Sequence, residues 1–180
     1  MKGSSAHNLL VSALESAGIA WTDITPVYLA PADAASAFGR GAVDAWSIWD
    51  PFFAIAELRQ NARPLPIDPQ AAVQNSFFLA NRDFLAAHPD IVAAINKEVA
   101  GATAWASDHR DEAAQLFAEA SGVDLAAQER SVDRAEFTFS AVTDTVVAEQ
   151  QAVADRFFRL GLIPERIVVR DDVWDGKSNS

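Results

Sequence analysis

Residues 41–53, GAVDAWSIWDPFF, constrain the fold most strongly, because they read as a strand that runs directly into a helix. In residues 42–48, apolar and more polar side chains alternate, and the larger ones suit a pleated, half-buried surface. Asp50 suits a helix N-cap, and Pro51 suits the first helical position, where its missing N–H costs nothing. Trp49 would then lie at the carboxyl end of a strand and beside a helix N-terminus, which is where open α/β sheets bind ligands.

The residues before this stretch predict the same architecture. Residues 24–29, ITPVYL, form a second short apolar run, and a helical pattern follows from Pro31 to Phe38. A further helix is predicted over residues 5–17, with Gly18 as the residue that ends it. Three helix N-termini, at residues 3–5, 31 and 50–51, are therefore expected to face one crevice.

Such a crevice would suit an anion, because a helix N-terminus offers free backbone N–H groups and a partial positive charge. Ser4 and Ser5 add two hydroxyl donors, and His7 adds a ring that can donate. Simple helix capping would also explain the two serines. A hydrolase in which His7 activates Ser5 is disfavoured, because no orienting acid is near in sequence and the Gly-x-Ser-x-Gly elbow is absent.

The aromatic residues of the central stretch allow two interpretations. Trp46 suits a hydrophobic core and a ligand cleft equally, whereas the strand-end position of Trp49 favours the cleft. Asp50 is expected to cap its helix, because a carboxylate in direct contact with an anion would repel it.

The composition excludes several classes of function. A net charge of −11 argues against nucleic acid and against an anionic membrane as partners. No cysteine is present, and the three histidines lack metal-ligand spacing, so neither thiolate chemistry nor a metal is predicted. No apolar stretch is long enough to span a membrane, and the polar start of the sequence predicts no signal peptide.

The second half of the chain predicts helices and almost no strands. After one strand at residues 75–80, turned at residues 81–83, helical patterns begin near residue 87 and cover residues 112–120, 124–134 and 143–160. Each amphipathic helix must bury its apolar stripe against something. Uncovered stripes here would permit a homo-oligomer.

Five segments carry a resemblance to a known family, in the same order and spacing. They are KGSSAHNLL (2–10), PVYLAPADAASAF (26–38), GAVDAWSIWDPFF (41–53), NSFFLANRDFLAAHPDIV (75–92) and QQAVADRFFRLGLIP (150–164). The chain resembles the periplasmic aliphatic sulfonate-binding proteins of ABC importers, within the nitrate/taurine/sulfonate receptor class. Members of that class are longer than this chain, and the part they have in addition precedes Met1.

The resemblance implies an α/β fold of the periplasmic-binding-protein type II class. Residues 1–75 would form the second α/β lobe, residues 76–83 the hinge crossing, and residues 84–180 the mainly helical return of a first lobe whose N-terminal strands are missing. It further implies that the sulfonate oxygens are bound by Gly3, Ser4, Ser5 and His7. A second set of residues would line the cleft around the ligand. That set is Trp46, Trp49 and Asp50.

The function implied is that of an extracytoplasmic, periplasmic receptor that binds an aliphatic sulfonate and delivers it to a membrane permease, without catalysis or cofactor. Two alternatives stay open at the level of the sequence. One is a truncated, non-binding fragment that oligomerises or interacts with another chain. The other is an enzyme related to thiamine-pyrimidine synthase, although the absence of cysteine and the three scattered histidines count against it.

Overall fold

A computed structural model describes residues 2–174, and this part of the chain is built from helices and extended connections. Two short 3₁₀ helices, Trp21–Asp23 and Val169–Asp172, accompany the α-helices. The α-helices are α1 (Ser5–Ser16), α2 (Pro31–Gly39), α3 (Phe52–Gln60), α4 (Pro69–Ala72), α5 (Arg82–Ala87), α6 (Pro89–Asp108), α7 (Arg110–Ser121), α8 (Leu125–Arg134) and α9 (Asp144–Arg159).

Side-chain caps explain where several helices begin. Ser4 precedes α1 and accepts the backbone N–H of His7, and Thr143 precedes α9 and accepts that of Val146. These bonds satisfy N–H groups that a helix cannot pair internally. Behind α1, Gly18 has φ +69°, a conformation that favours glycine, as the sequence predicted.

The three predicted strands, residues 24–29, 42–48 and 75–80, are not strands, and residues 2–174 contain none. The described chain is therefore helical, and the α/β expectation is not met in its strands. Ile24 (φ −116°, ψ 160°) and Ala30 (φ −67°, ψ 155°), which bracket the first run, are extended. A strand requires a neighbouring strand that exchanges backbone hydrogen bonds with it. The backbone hydrogen bonds outside the described helices belong to local turns and caps, so no such pairing occurs there.

The helix boundaries differ from the predictions in three places. The predicted turn at residues 81–83 is the start of α5, because the Asn81 side chain accepts the N–H groups of Asp83 and Phe84. Residues 69–72 form α4, a short helix that the sequence analysis did not predict. Helix α3 begins at Phe52 rather than Pro51, and the Asp50–Pro51 peptide is cis.

The core consists of small side chains. All buried hydrophobic residues among residues 2–174 are alanine or valine, including Val11, Ala54, Val92 and Val132. Large apolar side chains are exposed instead, with Leu79 at 84% and Val27 at 58%. Many large apolar side chains are therefore left uncovered by the described residues.

The contacts divide the chain into two compact units. Unit 1 contains residues 1–74 and 114–134, and unit 2 contains residues 75–113 and 135–180. In unit 1, α1 packs with α4, and α3 packs with α8 and α2. In unit 2, α9 packs with the second 3₁₀ helix and α5 with α6. None of the helices in the described range combines the length and the apolar character that a membrane crossing requires.

Candidate functional site

The turn before α1 holds four of the predicted site residues. Gly3 has φ +77°, and its N–H donates to Nδ1 of His7 at 3.0 Å. A Cβ at Gly3 would meet nothing within 4 Å, so the backbone angle, and not a close approach, favours glycine there. Ser4 Oγ accepts the N–H of His7 at 3.3 Å, and its carbonyl accepts that of Asn8 at 3.0 Å. The turn and the first helical residues therefore form one hydrogen-bonded unit.

Two backbone donors of this helix end remain available. Among residues 2–174, the N–H groups of Ser5 and Ala6 have no acceptor, and the Ser5 hydroxyl has no hydrogen-bond partner. Ser5 is exposed and the first turn of α1 contains no acidic residue. The arrangement can donate hydrogen bonds to an anion without a carboxylate to repel it.

The His7 ring is buried, with 5% of its surface exposed. The Trp21 ring lies 5.3 Å from it, and the Tyr28 ring 5.4 Å from it in an edge-on arrangement. The Tyr28 hydroxyl lies 3.5 Å from Nε2. Burial lowers the pKa of His7 from its ordinary value of 6.5, and nearby positive charge, including that of Lys2, lowers it further.

Ser47 joins the central stretch to α1. Its hydroxyl donates to the carbonyl oxygen of Ala6 at 2.7 Å, across 41 residues of sequence. Trp46 directly precedes Ser47 and Trp49 follows it by two residues, and both tryptophans are half-buried. Trp46 packs with Phe38, and Trp49 packs edge-on with Phe52 at 6.4 Å.

Asp50 is engaged by protein groups on both carboxylate oxygens. Oδ1 accepts the N–H of Ala54 at 3.0 Å, so Asp50 serves the first turn of α3 as the sequence predicted. Oδ2 lies 3.2 Å from Nε of Arg134, whose Nη2 lies 2.6 Å from Glu57. Burial raises the pKa of Asp50, while Arg134 and the Ala54 N–H oppose that shift and Glu57 adds to it. An acid bonded in this way has little capacity left for a ligand.

The three helix N-termini expected to share one crevice differ in charge. Helix α2 has Asp33 in its first turn and no side-chain cap, and α3 has the capping carboxylate of Asp50. Helix α1 alone among the three has neither an acidic residue in its first turn nor a carboxylate that accepts one of its first N–H groups. An anion is therefore expected at α1 in preference to the other two.

The predicted residues fall into two groups in unit 1. Gly3, Ser4 and His7 are joined by hydrogen bonds to one another, with Ser5 inside the same turn. Trp49 and Asp50 belong to the start of α3, with Trp46 just before them. Whether the two groups touch one ligand stays a prediction.

Sequence reasoning missed four residues that position this region: Trp21, Tyr28, Ser47 and Arg134. Tyr28 lay in the predicted second strand, and Ser47 lay in the predicted key strand. The local signal that the sequence offers for Ser47 is its place between Trp46 and Trp49. Within residues 2–174 no three His, Cys, Asp or Glu side chains are grouped as a metal site would require.

Two known proteins are similar to most of this chain in sequence. A relative from Escherichia coli (strain K12) is 36% identical over 174 residues, which cover 96% of this chain and 54% of the relative. One from Bacillus subtilis (strain 168) is 35% identical over 152 residues, which cover 84% of this chain and 46% of the relative. Both are named as candidate aliphatic sulfonates-binding proteins. The chain spans about half the length of these relatives.

Two solved structures share the fold. The periplasmic aliphatic sulphonate binding protein SsuA from Escherichia coli matches with a TM-score of 0.92 and 34% identity, over 100% of this chain and 59% of that one. The alkanesulfonate-binding protein SsuA from Xanthomonas axonopodis pv. citri, bound to MOPS, matches with a TM-score of 0.86 and 35% identity, over 97% of this chain and 61% of that one.

These findings confirm the resemblance that the five segments carry. The described residues follow part of a type II periplasmic-binding-protein fold, although they contain no strands. The relatives are named as binding proteins and not as enzymes, in agreement with the predicted absence of catalysis. Residues 1–122 match the sequence profile of the NMT1-like family, and the chain belongs to that family.

Proposed function

We propose that this chain is part of a solute-binding protein that binds an aliphatic sulfonate through the N-terminal turn of α1. The observation that carries the proposal is the set of unused donors at this turn, the N–H groups of Ser5 and Ala6 and the Ser5 hydroxyl. A sulfonate head has three acceptor oxygens and one negative charge. It can accept hydrogen bonds from these donors and is attracted by the positive end of the helix.

The electrostatics of the turn favour the same ligand. The first turn of α1 has no acidic residue, and Lys2 precedes it. The overall charge of −11 does not oppose a small anion, because its strongest contacts are the local donors and the helix dipole. Binding of a charged head therefore depends on this turn and little on the distant surface.

The relatives support the chemical class of the ligand. Two are named for aliphatic sulfonates, and one solved relative is described as bound to MOPS, which carries a propanesulfonate group. We assign Trp46 and Trp49 to the walls around the organic tail, because both are half-buried apolar rings adjoining Ser47, which contacts α1. Asp50 then orients the start of α3 through its bonds to Ala54 and Arg134, without touching the anion.

Isothermal titration with ethanesulfonate, taurine and nitrate tests the proposal. We expect ethanesulfonate to bind, and Ser5→Ala to weaken it by roughly tenfold, the value of one hydrogen bond to a charged group. Ser16→Ala is the matched control, because Ser16 is an exposed serine at the other end of α1. Equal affinities of the two variants, or no binding by the unmodified protein, would contradict the proposal.

As part of the same proposal, the protein would act in the periplasm and pass its ligand to the permease of an ABC importer. The relatives support this role through their names and through the structure described as periplasmic. Transport assays in cells that lack their own sulfonate receptor would test it. Growth on an alkanesulfonate as sulfur source is the expected result.

The exposed apolar segments favour a second candidate, an interaction with another polypeptide. Residues 75–80 lie outside the described helices and make no backbone–backbone hydrogen bond within the described chain, and Phe78 and Leu79 are 51% and 84% exposed. Such a segment can add a strand from another chain. Light scattering after size exclusion would detect it as a concentration-dependent dimer, and Leu79→Lys should then restore the monomer.

A further inference from the structure

We propose that His7 is a positioning residue that holds the turn before α1 only while its ring is neutral, so that this turn opens on acidification. The inference rests on the proposed function for its consequence, because the turn carries the anion donors. It rests on geometry for its mechanism. His7 is the single buried histidine among residues 2–174, and it reaches the turn through both its ring and its backbone.

The hydrogen bonds fix the state of the ring. A backbone N–H can only donate, so the contact of 3.0 Å between Gly3 N and Nδ1 requires a lone pair on Nδ1. The neutral ring must then carry its proton on Nε2, which faces the Tyr28 hydroxyl at 3.5 Å. The turn therefore selects one tautomer of His7.

Protonation of Nδ1 would convert this bond into a contact between two donors. Gly3 would lose its acceptor, and the positive φ of Gly3 would lose the bond that holds it. The rings of Trp21 and Tyr28 pack against the His7 ring, and burial together with positive charge, including that of Lys2, disfavours its protonated form. The protonated ring can no longer accept the Gly3 N–H, so the Gly3 end of the turn loses its link to α1.

The sign of the pH dependence separates this role from a simpler one. If His7 only supplied charge, a sulfonate that stays anionic would bind more tightly as the ring gains a proton. If His7 positions the turn, the same ligand binds more weakly, because the donors of Ser5 and Ala6 lose their arrangement. The lowered pKa of His7 places this loss below pH 6.5.

The test uses the full chain and two readouts. Nitrogen-15 NMR of the His7 ring and of the Gly3 amide follows the bond itself between pH 7.5 and 4.5. We expect the Nε2–H tautomer at neutral pH and a Gly3 amide signal that moves with the titration of His7. A Gly3 signal that stays fixed while His7 titrates would overturn the proposal, whether or not any ligand binds.

The second readout is titration with ethanesulfonate at pH 7.5 and 5.5. We expect affinity to fall at the lower pH, by roughly fivefold once the ring is fully protonated, which is the equilibrium equivalent of one hydrogen bond. His7→Asn, whose amide oxygen can replace Nδ1 as acceptor, should bind at both pH values alike, whereas His7→Gln should bind weakly at both. His88→Asn is the control, since His88 is exposed.

The two readouts separate the two proposals. Tighter binding at pH 5.5 in the unmodified protein would overturn the positioning role and leave the anion site intact. Absence of binding at both pH values, together with a Gly3 signal that follows His7, would overturn the proposed function and support the positioning role.

Discussion

Replacing Arg134 by alanine should destabilise unit 1 far more than removal of an ordinary surface ion pair. Arg134 connects two carboxylates of partly buried residues: its Nε lies 3.2 Å from Asp50 and its Nη2 lies 2.6 Å from Glu57. The side chains of Asp50 and Glu57 are only 22% and 15% exposed. The guanidinium also lies 4.3 Å from the centre of the Phe53 ring.

The size of the stability loss depends on how far the ion pairs of Arg134 are buried. Exposed pairs contribute about 0–1 kcal/mol, and breaking a fully buried pair costs about 3–5 kcal/mol. Arg134 is intermediate, at 31% exposure, and Arg130 remains 3.7 Å from Glu57 to compensate partly. With about 0.5 kcal/mol from the ring contact, we expect a loss of about 2 kcal/mol.

Urea unfolding followed by circular dichroism, with hydrogen exchange of α3 and α8 peptides, measures this loss. For a urea dependence of about 2 kcal/mol per M, the midpoint should fall by about 1 M. Arg59→Ala is the matched control, because Arg59 pairs with Asp124 in the same unit at 3.5 Å with side chains 63% and 50% exposed. The reasoning fails if the two variants lose equal stability, or if exchange rises in α9 as much as in α3 and α8.

Three further predictions concern other bonds of the structure. In Arg134→Ala, carbon-13 titration should give a higher pKa for Asp50 than in the unmodified protein, because Arg134 opposes the rise that burial causes. An unchanged Asp50 pKa would contradict the ion pair. Folding lowers the pKa of His7, so the unfolded chain binds the proton more tightly than the folded chain does. The free energy of unfolding should therefore fall as the pH drops below 6.5. Thermal unfolding should show this loss in the unmodified protein and not in His7→Asn. Thr143→Ala removes the cap that accepts the N–H of Val146 and should lower the free energy of unfolding by about 1 kcal/mol. Amide exchange should become faster in the first turn of α9, whereas uniform exchange along α9 would argue against a local cap.

The helices could be predicted from the sequence because their signals are local. Ser4, Thr143, Gly18 and Gly161 stand at the ends of periodic segments, and the structure places α1 and α9 between them. The turn predicted at residues 81–83 failed for a related reason. Asn81 can bond to the backbone in a turn or at a helix start, and the sequence does not distinguish the two.

The strands could not be predicted, because a strand depends on a second segment. Residues 24–29 and 75–80 have the side chains of strands, but no part of the described chain provides the backbone partner. The same limit applies to the site. Local chemistry predicted Gly3, Ser4, Ser5 and His7, whereas the contact of Tyr28 with His7, and that of Ser47 with Ala6, join residues 21 and 41 positions apart.

The division of unit 1 between two stretches of sequence has a consequence for synthesis. Helix α3 packs on α8, and its Glu57 pairs with Arg134, which is translated 77 residues later. At roughly 5–20 residues per second, the ribosome needs roughly 4–15 s to pass from one to the other. During that interval the nascent α3 carries an unneutralised carboxylate and an uncovered apolar face, and it must wait for its partner or be shielded by a chaperone.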